Sequence, residues 1–354
     1  MAQTRLILLG AGHAHLLLTE QLEVLRDAGI DPLLIAPKSF DYSGLTTGVL
    51  SGALPPGANR IDVEALAKRR GLTFVEGFAT AIDRTARAIT LSDGQKFSFD
   101  LLSLNIGGTV AEPCPGNDAW PVKPLAGLTA LRAHIESKPS FPRLVIVGAG
   151  LSGTEVAAAL AGLATRMGVK PRITLAGYPA GTGRGWRSLY ASLERRGVAL
   201  HPRWGPDAAP PEHDLMIAAT GLGAAALVRE AGLETRRGAG VAVAATLQSV
   251  VDPAVFAAGD CADFLPRPLP CQGVFGVRQA PVLVRNLIAT ARGEPLEPYR
   301  PQHRWLAIMD LGDETGFATW GRFAWRSRAM LAKPFGGNAP GTLPHCSFTA
   351  PRYP

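Results

Sequence analysis

Residues 143–164 read RLVIVGAGLSGTEVAAALAGLA. An apolar run enters a turn carrying Gly148, Gly150 and Gly153, and an alanine-rich segment follows, so the stretch predicts a buried strand, a tight turn and a helix. The three glycines have separate tasks. The first permits the turn, the second lets the backbone approach a pyrophosphate, and the third lets the helix lie close on the strand. The helix N-terminus then presents free N–H groups and a positive dipole end to phosphate. This is a complete dinucleotide fingerprint.

Working outward, residues 5–20, RLILLGAGHAHLLLTE, repeat the pattern with Gly10 and Gly12 but carry His15 where the third glycine belongs. Two nucleotide-type units therefore share one chain. Residues 250–260, VVDPAVFAAGD, form a late apolar strand ending in Gly259-Asp260, where a carboxylate can accept hydrogen bonds from cofactor hydroxyls. The chain thus returns to its first unit, and the second is inserted in it. The predicted architecture is α/β, with two Rossmann-like domains. Residues 1–115 and 246–300 make the first, 116–245 the inserted second, and 301–354 a short C-terminal segment. Between the units, residues 72–106 alternate as antiparallel strands would, with Asp93-Gly94 as a hairpin signal, and the proline-rich AEPCPGNDAWPVKP connects onward.

Composition narrows the function classes. Hydrophobic residues make up 47% and charged residues 18% of 354, with 40 Gly and 29 Pro, which fits a turn-rich enzyme and excludes a disordered or fibrous chain. The formal net charge of +7 would attract phosphorylated cofactors or an anionic membrane, but no basic run marks nucleic acid as a partner. Four cysteines, Cys114, Cys261, Cys271 and Cys346, lack CxxC spacing, so neither a metal site nor a thioredoxin-like pair is expected. The N-terminus has no signal-peptide pattern and no stretch has the length and apolarity of a membrane span, which makes the cytoplasm the expected location.

GAGHAHLLL at 10–18, DYSGLTTGVLSG at 41–52, LLSLNIGG at 101–108, VFAAGD at 255–260, GVFGVRQAPVLVRNL at 273–287 and LEPYRPQ at 296–302 add up to a resemblance. Across nearly its whole length the chain resembles the two-dinucleotide-domain flavoproteins of the pyridine nucleotide-disulfide oxidoreductase superfamily. Within it the chain is most similar to type II NADH dehydrogenase-like members, including those fused to selenide, water dikinase. The resemblance implies FAD in the first unit and NAD(P)H in the inserted one. It implies that Gly10 and Gly12 meet the FAD pyrophosphate, that Gly107 lies in a second FAD turn, and that Gly259-Asp260 holds the ribityl chain. Gly273 and Val274 would open a helix facing the flavin pyrimidine edge, where its positive end stabilises charge on reduction. Tyr42, Ser43 and Gly44 would sit near the isoalloxazine. Gly148, Gly150, Leu151, Ser152 and Gly153 would hold the nicotinamide cofactor's pyrophosphate, with Gly221 completing that site. Glu155, two residues past Gly153, would orient the nicotinamide as the candidate catalytic residue; the plainer reading is an acid favoured in a first helical turn.

The departures from the pattern carry expectations of their own. The acid that grips the adenosine ribose should end the second strand, but Ala36 and Pro37 stand there and Asp31 falls at the strand's wrong end, leaving Lys38 and Ser39 as candidates. A structural role is favoured for His15, with contact of His13 or His15 to the pyrophosphate as the alternative. The inserted unit also lacks a ribose carboxylate, and Arg184 and Arg187 nearby would accept a 2′-phosphate, keeping NADPH open beside NADH. Cys114 and Cys271 are expected to be buried, inert thiols. Residues 315–333, with Phe317, Trp320, Phe323 and Trp325 among arginines, are expected to form a helix that packs on the flavin domain or lies on the inner face of a membrane. The expected function is FAD-dependent NAD(P)H dehydrogenation with electrons leaving to a quinone-like acceptor. The alternatives are sulfur or selenium redox chemistry at the flavin, and a non-catalytic flavin- or nucleotide-binding regulatory module.

Overall fold

The computed structural model describes residues 3–111, 118–202, 204, 210–233, 238 and 240–330. Two five-stranded parallel sheets organise them. In the first, the strands lie in the order Val255–Ala257, Leu101–Leu104, Thr4–Leu9, Ile30–Ala36, Thr73–Glu76. In the second the order is Trp120–Pro121, Leu215–Ala218, Arg143–Val147, Arg172–Ala176, Val198–His201. In each sheet the fingerprint strand is central and its glycine turn stands at the carboxyl end, the place where open α/β sheets bind ligands. Central strands are buried on both faces, which is why RLILL and RLVIV read as continuous apolar runs: Leu6, Ile7 and Leu8 are buried, as are Leu144, Val145 and Ile146. The two Rossmann-like units expected from the fingerprints are both present.

The core of the first unit draws on the chain's return at Val255–Ala258 and on Leu283, Val284 and Leu287 of the Gly273–Arg292 helix. Ala224, Val228, Leu233, Val241 and Val243 also pack into this core. The antiparallel reading of 72–106 holds for Ala79–Asp83, Ala88–Leu91 and Lys96–Ser98, the last two joined through Asp93-Gly94 with Gly94 at φ +86°. It fails at both ends, because Thr73–Glu76 and Leu101–Leu104 are strands of the parallel sheet. Their apolar residues alternate too little in so short a run to separate the two sheet types.

The helix expected at 315–333 is not formed. Gly316–Trp320 and Phe323–Ser327 are antiparallel strands, joined with Leu306–Asp310 in a three-stranded sheet, and a short 3-10 turn, Arg328–Met330, follows. The hairpin loop is the two residues Gly321 and Arg322, with Gly321 at φ +57°, a conformation glycine adopts without cost. Phe317 and Met309 bury one face of this sheet against the inserted unit rather than the first unit, while Trp320, Phe323 and Trp325 are exposed. The segment thus follows a two-residue period, for which aromatic residues are well suited, and the helical spacing was coincidental. The proline- and glycine-rich residues 334–354 lie outside the described residues, as do Cys114 and Cys346. Among the described residues no helix is long and apolar enough to cross a membrane, and no cluster could hold a metal ion.

Candidate functional site

The inserted unit's turn has the geometry its glycines require. Gly148 has φ +105°, and a Cβ there would stand 2.2 Å from the Ala219 carbonyl oxygen. A Cβ on Gly153 would stand 1.8 Å from the Gly148 carbonyl oxygen, so a side chain would push the Leu151–Arg166 helix off its strand. Gly150 is different. It precedes the helix, and nothing lies within 4 Å of where its Cβ would be, so the space above this turn is open to a pyrophosphate. Leu151 and Ser152 begin the helix beside it, and Ser152 is exposed. Gly221, at φ +113°, faces the same kind of open space past the neighbouring strand. The next strand ends at the buried Ala176, and the exposed Arg184 and Arg187 lie at the start of the Arg184–Arg195 helix.

The first unit's turn is built from other parts. Gly10 has φ +89°, and a Cβ at Gly10 or Gly12 would collide with Asn105. The Asn105 side-chain oxygen accepts from the amides of Ala14 (3.0 Å) and His15 (3.2 Å), and its amide donates to the Ala258 carbonyl (2.6 Å). One side chain therefore caps the first helix and ties its turn to the strand that leads to Asp260. The cap takes two of the amides a pyrophosphate would otherwise find, leaving a narrower cradle. Gly107, at φ +73° with open space around it, supplies a second turn beside this one.

His15 is fully buried, with Nδ1 2.7 Å from the Gly10 carbonyl oxygen and Nε2 2.8 Å from the Ser103 hydroxyl. A carbonyl only accepts, so Nδ1 carries the proton, and Nε2 must accept from Ser103. Burial holds the imidazole neutral, its pKa pushed down to about 4. The ring fills the space a third glycine would leave and has both nitrogens satisfied inside the protein. His13, the first residue of the same helix, has its ring near Phe40 and Tyr42 at 5.3 and 5.6 Å and against Gly273. Its pKa is lowered by desolvation, with Asp260 opposing and Lys123 reinforcing the effect.

Asp260 follows Gly259, whose φ is +70° and whose amide donates to the Gln279 side chain at 2.7 Å. The Asp260 carboxylate is paired with the ammonium of Lys123. Gly273 and Val274 begin the 20-residue Gly273–Arg292 helix. The expectation that Cys271 is buried is not met: the residue is exposed, in the turn two residues before that helix, though partial desolvation raises the pKa of its thiol. Lys38 is exposed and pairs with Glu64 at 2.7 Å, which raises its pKa, and Ser39 starts the short strand beyond it.

Tyr42, Ser43 and Gly44 form the start of the Ser43–Leu50 helix, and three residues further on Thr47 reaches Glu155. Glu155 Oε1 accepts from the Thr47 hydroxyl at 2.9 Å and from the Asp310 amide at 3.2 Å. The first unit, the inserted unit and the C-terminal sheet therefore meet at one carboxyl group. Desolvation pushes its pKa up to about 7, against the two hydrogen bonds, and the Asp310 carboxylate adds to the rise. A group poised there can hold or release a proton near neutral pH. Reading the sequence missed Asn105, Ser103, Thr47, Lys123 and Asp310. Asn105, directly ahead of the Ile-Gly-Gly turn, was the one with a local signal; the others become visible only when distant segments meet.

Residues 205–287 match a family model described as pyridine nucleotide-disulphide oxidoreductase. The chain is 30% identical over 193 residues to an NADH dehydrogenase-like protein of Mycobacterium tuberculosis, covering 49% of this chain and 47% of that one. It is 25% identical over 273 residues to a nitric oxide reductase FlRd-NAD(+) reductase of Pectobacterium atrosepticum, covering 72% and 70%. The match thus spans about half the length of the mycobacterial relative. Among solved structures, a sulfide:quinone oxidoreductase of Aquifex aeolicus superposes with a TM-score of 0.77 at 14% identity, covering 92% of this chain and 87% of that one. A putidaredoxin reductase in covalent complex with putidaredoxin gives 0.69 at 20%, covering 91% and 82%. These two likenesses are of fold. The fold is shared with these oxidoreductase structures, and over part of its length the chain is similar in sequence to a pyridine nucleotide-disulphide oxidoreductase model, to an NADH dehydrogenase-like protein and to a probable ferredoxin reductase.

Proposed function

We propose that the chain is an FAD-dependent NAD(P)H dehydrogenase, with FAD in the first unit, the nicotinamide cofactor in the inserted one, and a quinone-like electron acceptor. The observation that carries this reading is the meeting of both units at Glu155, since hydride transfer needs the two cofactors held face to face where the units join. FAD would supply the acceptor of hydride and the means of passing electrons on. The protein's contribution is positional. Gly148, Gly150 and Gly153 shape a phosphate cradle, and Gly10, Gly12 and Gly107 shape the other, narrowed by Asn105. Asp260 offers its carboxylate to the hydroxyls of the flavin side chain. Gly273 and Val274 aim a helix N-terminus at the same region, where it would stabilise negative charge.

Glu155 is the candidate acid-base group. With its pKa near 7 it would hold a proton beside Thr47 and release it as the acceptor is reduced. Arg184 and Arg187, exposed on the ribose side of the inserted unit, suit a 2′-phosphate and favour NADPH as a substrate beside NADH. Trp320, Phe323 and Trp325, exposed on one sheet with Arg304 and Arg322 close by, support a peripheral contact with the inner face of a membrane, reached by strands rather than the expected helix.

Steady-state oxidation of NADH and NADPH by the FAD-loaded protein, with a soluble quinone and, in parallel, a small iron-sulfur protein as acceptor, tests the reading. Faster turnover with the quinone supports it. Turnover with the iron-sulfur protein alone would replace the acceptor, and loss of turnover in a Cys114→Ser/Cys271→Ser variant would move the chemistry to sulfur.

A further inference from the structure

Lys123 and Asp260 are contributed by different units. Lys123 follows the edge strand Trp120–Pro121 of the inserted sheet, and its backbone is fixed by the bond from the Val122 amide to the Ala218 carbonyl at 3.0 Å. Asp260 follows the edge strand Val255–Ala257 of the first sheet, on a turn that Gln279 holds through the Gly259 amide. The ion pair therefore joins the carboxyl ends of two sheet edges, the end at which ligands bind in folds of this kind. Both side chains are largely withdrawn from water, at 25% and 17% exposure, so this is not a solvated surface pair of little worth. His13, against Gly273 at the start of the long helix, lies within the field of both charges, and so does Cys271.

We propose that Lys123 is a positioning residue of the flavin site, delivered by the inserted unit: it orients the Asp260 carboxylate for the flavin side chain and adds a positive charge to that end of the cavity. The inference rests on the reading of the first unit as the FAD site. Two consequences separate it from a simple clamp between domains. Removing the ammonium leaves Asp260 a partly buried, unpaired carboxylate, which is costly to place beside an anionic cofactor, so FAD binding weakens. Removing it also takes away a charge that favours the reduced, more negative flavin, so the reduction potential falls.

The test compares wild type, Lys123→Met, Lys123→Gln and Lys123→Arg as purified full chains. FAD binding is followed by fluorescence quenching, the potential of the bound flavin by spectroelectrochemistry, and apoprotein stability by thermal unfolding. The expected result is at least a tenfold rise in the FAD dissociation constant and a lower potential for the Met and Gln variants, with the Arg variant close to wild type. In a double-mutant cycle with Asp260→Asn the two losses should be less than additive. Unchanged affinity and potential in Met and Gln, or a fall in thermal stability alone, would overturn the proposal. Failure of the wild-type protein to bind FAD would instead overturn the reading on which it rests.

Discussion

Two buried titratable side chains set opposite pH dependences on this fold. His15 has its pKa pushed down to about 4 from the ordinary 6.5, so its contribution to stability is complete above about pH 6.5 and is lost as pH falls through 4. Glu155 has its pKa pushed up to about 7 from 4.5, so its contribution is complete below about pH 4.5 and is lost as pH rises through 7. Each is worth at most about 1.4 kcal/mol per unit of separation, and in the overlapping window they oppose one another. His13, lowered by the same desolvation, acts in the same sense as His15, so wild-type stability should rise only gently with pH between about 4.5 and 6.5. Denaturant unfolding of Glu155→Gln across that range should reveal a stability that climbs more steeply with pH; a flat profile in the variant would contradict the assignment to the two histidines. The same substitution should remove an inflection near neutrality from the pH profile of turnover while leaving the fold intact. His15→Gly, which restores the fingerprint on paper, should cost about 2–4 kcal/mol, because it opens a cavity and strips Gly10 and Ser103 of their partner. A neutral or stabilising result would contradict both the packing and the hydrogen-bonding role of the ring.

At the scale of elements, the glycines of the inserted turn divide into those where the fold admits no side chain and one, Gly150, where a Cβ meets nothing and the proposed ligand would lie. Gly153→Ala places a methyl 1.8 Å from the Gly148 carbonyl oxygen, so the helix must shift and the unit should unfold at lower temperature. Gly150→Ala meets nothing, so thermal stability should stay within about 1 kcal/mol of wild type while the KM for NAD(P)H rises at least tenfold. Equal losses of stability in both variants would contradict this division. The same contrast explains what could be read from the sequence. Strand, turn and helix were legible at 143–164 because continuous apolar runs, glycine spacing and alanine content are local signals. The C-terminal sheet was not, since Phe317, Trp320 and Phe323 fit helical and strand spacing alike and only the Gly321-Arg322 loop tips the balance. The structural role expected of His15 could be read from the sequence, but not the Ser103 hydroxyl that receives its ring, since that residue lies 88 positions away in the chain.

For the whole molecule, the inserted unit is joined to the first at several separate points. Through Lys123 it reaches Asp260, through Glu155 it reaches Thr47, and through Arg132 it donates to the carbonyls of Val49 and Leu54. These contacts at separate points hold the two units against each other. Arg184→Ala/Arg187→Ala should raise the KM for NADPH several-fold with little change for NADH, measured on the loaded enzyme, since only the former carries a 2′-phosphate. The central claim, that the two units hold FAD and a nicotinamide nucleotide close enough for hydride transfer, is tested most directly by anaerobic stopped-flow mixing of the FAD-loaded protein with NADH and with NADPH. The visible flavin band should bleach in a fast phase whose rate saturates with nucleotide concentration. A flavin that binds but bleaches with neither nucleotide, or only at the rate of free FAD in solution, would contradict it.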